Sequence, residues 1–146
     1  MRKERRMIIN TKTYTTLPQE AKDIRIEVFM KEQGFENEFD KIDTISHHIV
    51  VFDEGKPIGT CRFFKENDHY TIGRVAVLKA YRNQHIGNLL LISAEKEIKK
   101  LNGDLIVVHA QVRVSPFYKK QGYIQFGQID DDEGVPHMWM KKRIQH

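Results

Sequence analysis

Hydrophobic and polar positions along this chain change their spacing at residue 45, and the change separates a helical segment from a series of strands. Before it, a loose alternation over residues 8–14 predicts a short strand. Apolar residues at helical spacing from Pro18 to Gly34 predict a helix with Thr16 as its cap. After residue 45, β-branched runs separated by short polar turns predict an antiparallel meander. The three predicted strands span residues 48–53, 58–65 and 70–78.

The last of these runs leads through a polar turn into a strongly amphipathic segment, a helix that begins near His85 or Ile86 and ends at Asn102-Gly103. A nearly continuous apolar run over residues 104–110 then predicts a buried strand, parallel to the preceding one through a right-handed crossover. Gly73 inside the preceding strand predicts a bulge or a close approach to the backbone. Because the first-turn amides of a helix lack intrahelical acceptors, this helix start is a predicted site for an anion such as pyrophosphate.

A short helix and two closing strands are predicted at the end of the chain. Ser115, Pro116 and Gly122 are typical of a cap, a first helical position and a stop, so a short helix is expected between them. The strands follow over residues 123–129 and 137–143, with an acidic loop between them.

Composition indicates an ordinary globular domain, since 40% of the 146 residues are hydrophobic and 30% are charged. Cys61 is the only cysteine, so no intramolecular disulfide, no cysteine-rich metal site and no metal cofactor are expected. We expect Cys61 to pack in the core. A reducing cytoplasm fits this cysteine content, and no apolar run approaches the roughly 18 residues of a membrane helix.

The net charge of +4 is concentrated at the beginning of the chain. Residues 1–6 carry four basic residues and one acidic residue and account for +3 of it. We therefore expect a basic leader over 1–6, either disordered or preceding a true start at Met7, and one domain over 7–146. A nucleic-acid-binding arm is a weaker interpretation of the leader, and no nucleic-acid partner is predicted.

Two motifs flank the predicted buried strand. The first reads Arg82-Asn83-Gln84-His85-Ile86-Gly87, and the second reads Phe117-Tyr118-Lys119-Lys120-Gln121-Gly122-Tyr123. Their order and spacing resemble the phosphate loop, Arg/Gln-x-x-Gly-x-Gly/Ala, and the Phe-Tyr-x-x-x-Gly-Phe segment of the GNAT superfamily of acetyl-CoA-dependent N-acetyltransferases. His85 departs from the family pattern, because the family usually has glycine there, where the backbone approaches the pyrophosphate.

Further motifs look like the ElaA-like, also called YjcF-like, branch of that superfamily, whose acceptor is poorly defined. They are Arg25-x-x-Val28-Phe29-x-x-Glu32-Gln33, Glu38-x-Asp40-x-x-Asp43, His48, Gly73-Arg74-Val75-Ala76-Val77, Ala110-Gln111 and Gly134-Val135-Pro136-His137-x-x-Met140. The resemblance implies a mixed α/β fold, with a central twisted sheet of six to seven strands and about four helices. The strands at Val75–Val77 and Val107–Gln111 are expected to splay and form an acyl-CoA cleft.

Acetyl-CoA is the cofactor that the resemblance implies. Free backbone amides at the splayed strands are expected to hold the pantetheine and the acetyl oxygen, and the phosphate loop is expected to hold the pyrophosphate. Gln111 stands where the family usually has an asparagine that bonds the pantetheine. The predicted cofactor-binding residues are Val75, Ala76, Val77, Arg82, Asn83, Gln84, His85, Ile86, Gly87, Asn88, Gln111, Phe117 and Tyr118.

Tyr118 falls where the family keeps a general acid for the departing thiolate. A base is also needed, because an alkyl amine with a pKa near ~10.4 is mostly protonated at neutral pH. The candidates are Glu32, Asp43 and His137; imidazole titrates near neutral pH, so His137 is favoured, with Glu32 as its partner or an ammonium anchor. Arg74 occupies the position where many members have a glutamate. The predicted substrate-binding residues are Glu32, Gln33, Asp43, Arg74 and His137.

Several of these residues also have simpler interpretations. Tyr118 can be a half-buried aromatic residue, His137 can merely open the last strand, and His48 can occupy a strand face. The acidic segment over 36–43 can be solvated surface, or it can attract a cationic acceptor. Trp139 can pack within the last strand or contribute to an interface.

Two functions therefore remain open. The first is an N-acetyltransferase acting on a small amine, a peptide N-terminus or a lysine. The alternative is a non-catalytic acyl-CoA-binding sensor or scaffold, since His85, Gln111 and Arg74 depart from the family pattern. The resemblance also implies a possible homodimer, and no membrane partner is expected.

Overall fold

One seven-stranded sheet organises the protein in the computed structural model, which describes residues 6–36 and 38–144. The strand order is β1-β2-β3-β4-β5-β7-β6, and among neighbours only β4 and β5 pair in parallel. This confirms the predicted mixed sheet and its meander. The strands are β1 Ile9–Tyr14, β2 His47–Asp53, β3 Lys56–Glu66, β4 His69–Val77, β5 Leu105–Gln111, β6 Ile124–Asp132 and β7 Val135–Arg143.

Among the described residues three α-helices accompany the sheet, where about four helices were expected. They are α1 Gln19–Arg25, α2 Ile86–Lys100 and α3 Ser115–Lys120, and α1 continues as a π-helix over Ile26–Glu32. Short 3-10 turns span Lys41–Thr44, Lys79–Tyr81 and Val112–Val114. Within the described ranges no helix is both long and apolar enough to cross a bilayer.

The predicted helix caps are wrong at two helices. Pro18, not Thr16, is the residue before α1, and Ser115 is already the first residue of α3, so neither helix has a side-chain cap. Pro18 fits its boundary because its fixed φ and missing amide suit a helix start, while its carbonyl accepts the amide of Lys22 at 3.2 Å. At the other end, Gly34 with a φ of 79° follows the π-helix, which confirms the predicted stop.

The predicted acidic loop over 130–136 is also wrong, because strands β6 and β7 extend through it. Only Glu133 and Gly134 turn the chain, and both have positive φ, at 50° and 81°. Two such residues in sequence form the kind of tight turn whose twist matches a hairpin. The acidic side chains before the turn therefore lie on β6, a strand at the edge of the sheet that is almost entirely exposed.

The core lies on both faces of the sheet, as the alternation of strand β2 shows. Ile49 and Val51 pack into the cluster formed with helix α2, whereas Val50 and Phe52 pack into the smaller cluster formed with helix α1. Cys61 on β3 belongs to the first cluster and is 1% exposed, which confirms its predicted place in the core. Burial raises the pKa of its thiol to about 12, so it is inert at neutral pH.

Strands β4 and β5 separate near the middle of the sheet, and this separation positions the site. They pair only from Tyr70–Ile72 to Ile106–Val108, so within the described chain they diverge after Ile72 and Val108. The predicted splay is confirmed, although it begins after Val108 rather than at Val107. Opposite Cys61, strand β4 has an extra residue at Arg74 and Val75, next to the predicted Gly73. Such a bulge bends a strand away from its neighbour.

Candidate active site

A cavity of about 310 Å³ lies where β4 and β5 diverge. Its walls combine the β4 bulge, the end of β5, helix α3, the residues after the π-helix and the β6–β7 turn. Of the predicted site residues, those brought together at this cavity are Gln33, Arg74, Val75, Gln111, Tyr118 and His137. Sequence motifs more than 100 residues apart in the chain therefore converge on one opening.

Tyr118 contributes its side chain to the cavity from helix α3 and is only 7% exposed. Its ring packs edge-on against Phe117 and Tyr123, with centroid distances of 5.1 and 5.9 Å. Burial raises the pKa of Tyr118 well above its usual range, so the phenol stays protonated at neutral pH. Among the described residues its hydroxyl forms no hydrogen bond. Tyr118 thus provides a protonated hydroxyl that no acceptor among the described residues engages.

His137 lines the same cavity from β7 and is 6% exposed. Its Nδ1 lies 2.8 Å from the carbonyl oxygen of Val135. A carbonyl can only accept, so this contact assigns the proton of the neutral ring to Nδ1 and leaves a lone pair on Nε2. The ring lies 4.8 Å from that of His109, whose Nε2 lies 2.8 Å from Oδ1 of Asp130.

Two glutamines connect the first helical segment to the end of β5. Nε2 of Gln111 donates to Oε1 of Gln33 at 2.9 Å, and Oε1 of Gln111 accepts from Nε of Arg113 at 3.0 Å. Both glutamines line the cavity. The side-chain amide of Gln111 is therefore held at the cavity by a residue 78 positions away.

The predicted phosphate loop lies at the beginning of α2, which has no side-chain cap. The first helical hydrogen bond runs from the amide of Leu89 to the carbonyl of His85, at 3.1 Å. The amides of Ile86, Gly87 and Asn88 precede it and have no acceptor inside the helix. Together with the helix dipole these free amides leave a positive potential at the beginning of α2.

His85 adopts a left-handed conformation, with a φ of 64° and a ψ of 18°. Glycine takes such angles without cost, whereas other residues pay roughly 1–2 kcal/mol. The backbone at position 85 therefore has a conformation that favours glycine, the residue that the family usually has there. His85 adopts this conformation at a cost in conformational energy. Asn83, with a φ of 63°, is a second left-handed residue in the loop, and Gln84 donates to the carbonyl of Ala80 at 3.3 Å.

Gly87 joins the phosphate loop to helix α3. A Cβ at this position would lie 3.1 Å from Cζ of Phe117, which is closer than ordinary packing allows. The glycine therefore lets the Phe117 ring rest against the first turn of α2, and the two sequence motifs are in direct contact.

Glu32 and Arg82 form a two-pronged ion pair, with nitrogen–oxygen distances of 2.5 and 2.7 Å. Nε of Arg82 also donates to the carbonyl of Val77 at 3.1 Å, so the arginine bridges β4 and the π-helix. The hydrogen bonds from Arg82 lower the pKa of Glu32. Glu32 does not line the cavity, and the structure places this predicted catalytic residue beside the phosphate loop instead.

Asp43 lies in a buried ion-pair network rather than at the cavity. Its carboxylate accepts hydrogen bonds from Arg25 at 2.7 and 3.2 Å and from Arg62 at 2.9 Å. These guanidinium groups outweigh the cost of burial and lower the pKa of Asp43 to about 2.

His48 is 1% exposed, with Nε2 at 3.0 Å from the carbonyl oxygen of Asp43. His48 therefore packs on a face of β2, which is the simpler interpretation of this residue.

Two carboxylates of the acidic segment over 36–43 are buried rather than solvated. Glu38 and Asp43 are each 5% exposed, and arginines from three different elements pair with the acidic residues of the segment. Arg74 on the bulge is one of them, and its Nε lies 3.0 Å from Oε1 of Glu38. Its φ of 51° is left-handed, so these ion pairs hold a strained residue at the edge of the cavity.

Glu38 and His109 are among the cavity residues that were not predicted as site residues. Glu38 belonged to a quoted motif but was read as part of a surface segment, since only the fold shows its arginine partners. His109 was read as one position of a buried strand. Trp139 stacks on His109 with a centroid distance of 4.3 Å, so within the described chain it packs beside its own strand.

Comparisons with known proteins identify the family of this chain. Residues 14–144 match a family model described as "Acetyltransferase (GNAT) domain". The uncharacterized N-acetyltransferase YjcF of Bacillus subtilis is 35% identical over 122 residues, which are 82% of this chain and 87% of YjcF. This similarity confirms the YjcF-like branch that the motifs indicated.

Solved structures share the fold. An acyl-CoA N-acyltransferase from Pseudomonas aeruginosa has a TM-score of 0.81 and 22% identity, and covers 94% of this chain and 99% of its own. An aminoglycoside 6'-N-acetyltransferase complexed with coenzyme A has a TM-score of 0.72 and 16% identity, over 88% and 91% of the two chains. With a family match that spans most of its length, the chain belongs to the GNAT acetyltransferases and is an acyltransferase.

Proposed function

We propose that this acyltransferase uses acetyl-CoA and transfers the acetyl group to a primary amine. The observation that carries the proposal is the cavity between the splayed strands, whose walls include both Tyr118 and His137. A donor for a leaving thiolate and an acceptor for an amine proton thus share one opening, as direct transfer between two bound substrates requires.

The residues around the opening fit coenzyme A. The uncapped first turn of α2 suits the pyrophosphate, the diverging edges of β4 and β5 leave backbone groups for the pantetheine, and Gln111 adds an amide. The acyl group would end beside the β4 bulge, near Val75 and Tyr118. When bound, acetyl-CoA supplies an activated thioester. The coenzyme A complex of the similar aminoglycoside 6'-N-acetyltransferase supports this choice.

His137 is the proposed base. Its Nδ1–H is held by the Val135 carbonyl at 2.8 Å, so Nε2 can accept the proton that an ammonium group must lose before it attacks. Glu32 is tied to Arg82, and Asp43 to two arginines, so we no longer propose either as the base.

Thiol release tests this function directly. The purified protein with acetyl-CoA is expected to release free thiol in the presence of a primary amine, and the panel is n-butylamine, spermidine and a lysine-containing peptide with a free N-terminus. Acetylated product is identified by mass spectrometry. Tight binding of acetyl-CoA without thiol release above background for every amine would contradict the proposal and favour the sensor alternative.

Arg82→Ala is expected to raise the dissociation constant of acetyl-CoA by about tenfold, because it removes a charged donor beside the proposed pyrophosphate site. Isothermal titration measures the effect. Lys100→Ala is the control, since Lys100 is an exposed cation at the opposite end of α2 and should leave the affinity unchanged. Equal affinities of the Arg82 variant and the wild type would remove Arg82 from the site.

A further inference from the structure

Glu38 is a buried carboxylate with only one of its oxygens engaged. The side chain is 5% exposed and lines the cavity next to the β4 bulge. Its Oε1 lies 3.0 Å from Nε of Arg25 and 3.0 Å from Nε of Arg74. Within the described part of the chain, Oε2 forms no hydrogen bond.

That second oxygen remains open to the cavity. Among the described residues, the one fully enclosed polar side-chain atom that lacks a hydrogen-bond partner is Nε of Arg62. Oε2 of Glu38 also lacks a partner, so it cannot be a fully enclosed atom. Since the rest of the side chain is enclosed and the cavity is the space that it lines, Oε2 faces that space.

Two arginines pair with the carboxylate of Glu38. Burial raises the pKa of Glu38, and the guanidinium groups of Arg74, Arg25 and Arg62 limit that rise without cancelling it. Two guanidinium nitrogens at 3.0 Å stabilise the carboxylate and make it a poor base. An ionised carboxylate is an acceptor only, so its open oxygen suits an N–H group that carries positive charge.

We propose that Oε2 of Glu38 binds the ammonium group of the acceptor, an assignment that rests on the proposed amine acetylation. The carboxylate orients the ammonium nitrogen in the cavity, and the proton then passes to Nε2 of His137. Asp132 at the end of β6 and Glu133 in the β6–β7 turn line the same cavity and extend its negative charge. The acceptors selected are therefore cationic amines without a carboxylate next to the nitrogen.

Glu38→Gln tests the proposal, with Asp40→Asn as a matched control. Asp40 pairs with the same Arg74, at 3.3 Å, and with Arg62 at 2.7 Å, but it does not line the cavity. We expect Glu38→Gln to raise KM for n-butylamine and spermidine by about tenfold or more, with kcat and acetyl-CoA affinity nearly unchanged. Asp40→Asn should leave the KM for both amines within about twofold of the wild type.

A KM in Glu38→Gln within about twofold of the wild type would overturn the proposal, as would an equal rise in both variants. Wild-type protein provides a second test that does not depend on how the variant folds. NMR titration compares N,N-dimethylbutylamine, a cation, with its neutral analogue N,N-dimethylbutanamide. We expect the cation to bind at least about tenfold more tightly, and equal binding would overturn the proposal.

The two proposals fail in different ways. Absence of thiol release with every amine would refute acetyl transfer, whereas an unchanged KM for both amines in Glu38→Gln would refute only the role of Glu38. The NMR comparison needs no turnover, so it tests the ammonium site in either case.

Discussion

Tyr118→Phe is expected to lower kcat by about 100-fold, the lower end of the usual contribution of a general acid. The hydroxyl lines the cavity and has no hydrogen-bond partner among the described residues, so its removal leaves no internal group unpaired. The ring contacts with Phe117 and Tyr123 are retained by phenylalanine. Stability and acetyl-CoA affinity should therefore change little while turnover falls. Steady-state thiol release and isothermal titration measure the two effects separately.

Tyr123→Phe is the matched control for this prediction. Tyr123 is also buried and lies against Tyr118, but its hydroxyl donates to Oε2 of Glu95 at 2.9 Å and does not line the cavity. This variant should lose stability and keep its kcat. Turnover by Tyr118→Phe close to that of the wild type would show that the leaving thiolate needs no donor from Tyr118.

The spacing of apolar residues predicted most of the fold, because the residues of the core recur at regular intervals along the chain. Alternate residues of β2 face opposite sides of the sheet, and α2 presents one apolar face, so their spacing is visible in the sequence. The strand–loop–helix order around His85 likewise predicted a helix start with free backbone amides, which the structure has. Such features depend only on residues that are close together in the sequence.

The buried ion pairs depend on distant residues and could not be found in this way. Arg25 lies in a helix that was predicted from its apolar face, yet its side chain is 1% exposed and pairs with Glu38 and Asp43, 13 and 18 positions away. From the sequence alone, an acidic segment is interpreted as solvated surface when the arginines that pair with it lie on other elements. The same limit concealed Glu38, whose place at the cavity follows from its pairing with Arg74 on the bulge.

The network therefore supports both the fold and the site. Asp43 pairs with Arg25 and Arg62, and Glu38 pairs with Arg25 and with Arg74 at the bulge that opens the cleft. These two carboxylates are buried and each is shared by two arginines, whereas Asp40 is more exposed and both of its arginines keep a buried partner without it. A change at Asp43 is expected to weaken the whole group.

Asp43→Asn is accordingly expected to lower the free energy of unfolding by about 3 kcal/mol at neutral pH, the usual effect of breaking a buried pair from one side. Urea denaturation followed by circular dichroism measures it. Asp23→Asn is the control, because Asp23 is exposed on α1 and bonds only to Gln19 among the described residues, at 2.8 Å. That variant should stay within about 0.5 kcal/mol of the wild type. A similar loss in both variants would mean that the network adds nothing beyond a surface contact.

The same variant should also change how stability depends on acid. The pKa of Asp43 is about 2 in the folded protein, below the value near ~3.9 of an unfolded chain, so its stabilising effect is fully present above about pH 4. It is lost as the pH falls toward the folded value, and the difference corresponds to roughly 2.6 kcal/mol. Wild-type stability should therefore fall more steeply than that of Asp43→Asn between about pH 4 and pH 2. Parallel curves over this interval would show that Asp43 does not carry the depressed pKa, and that acid acts on other carboxylates of the network.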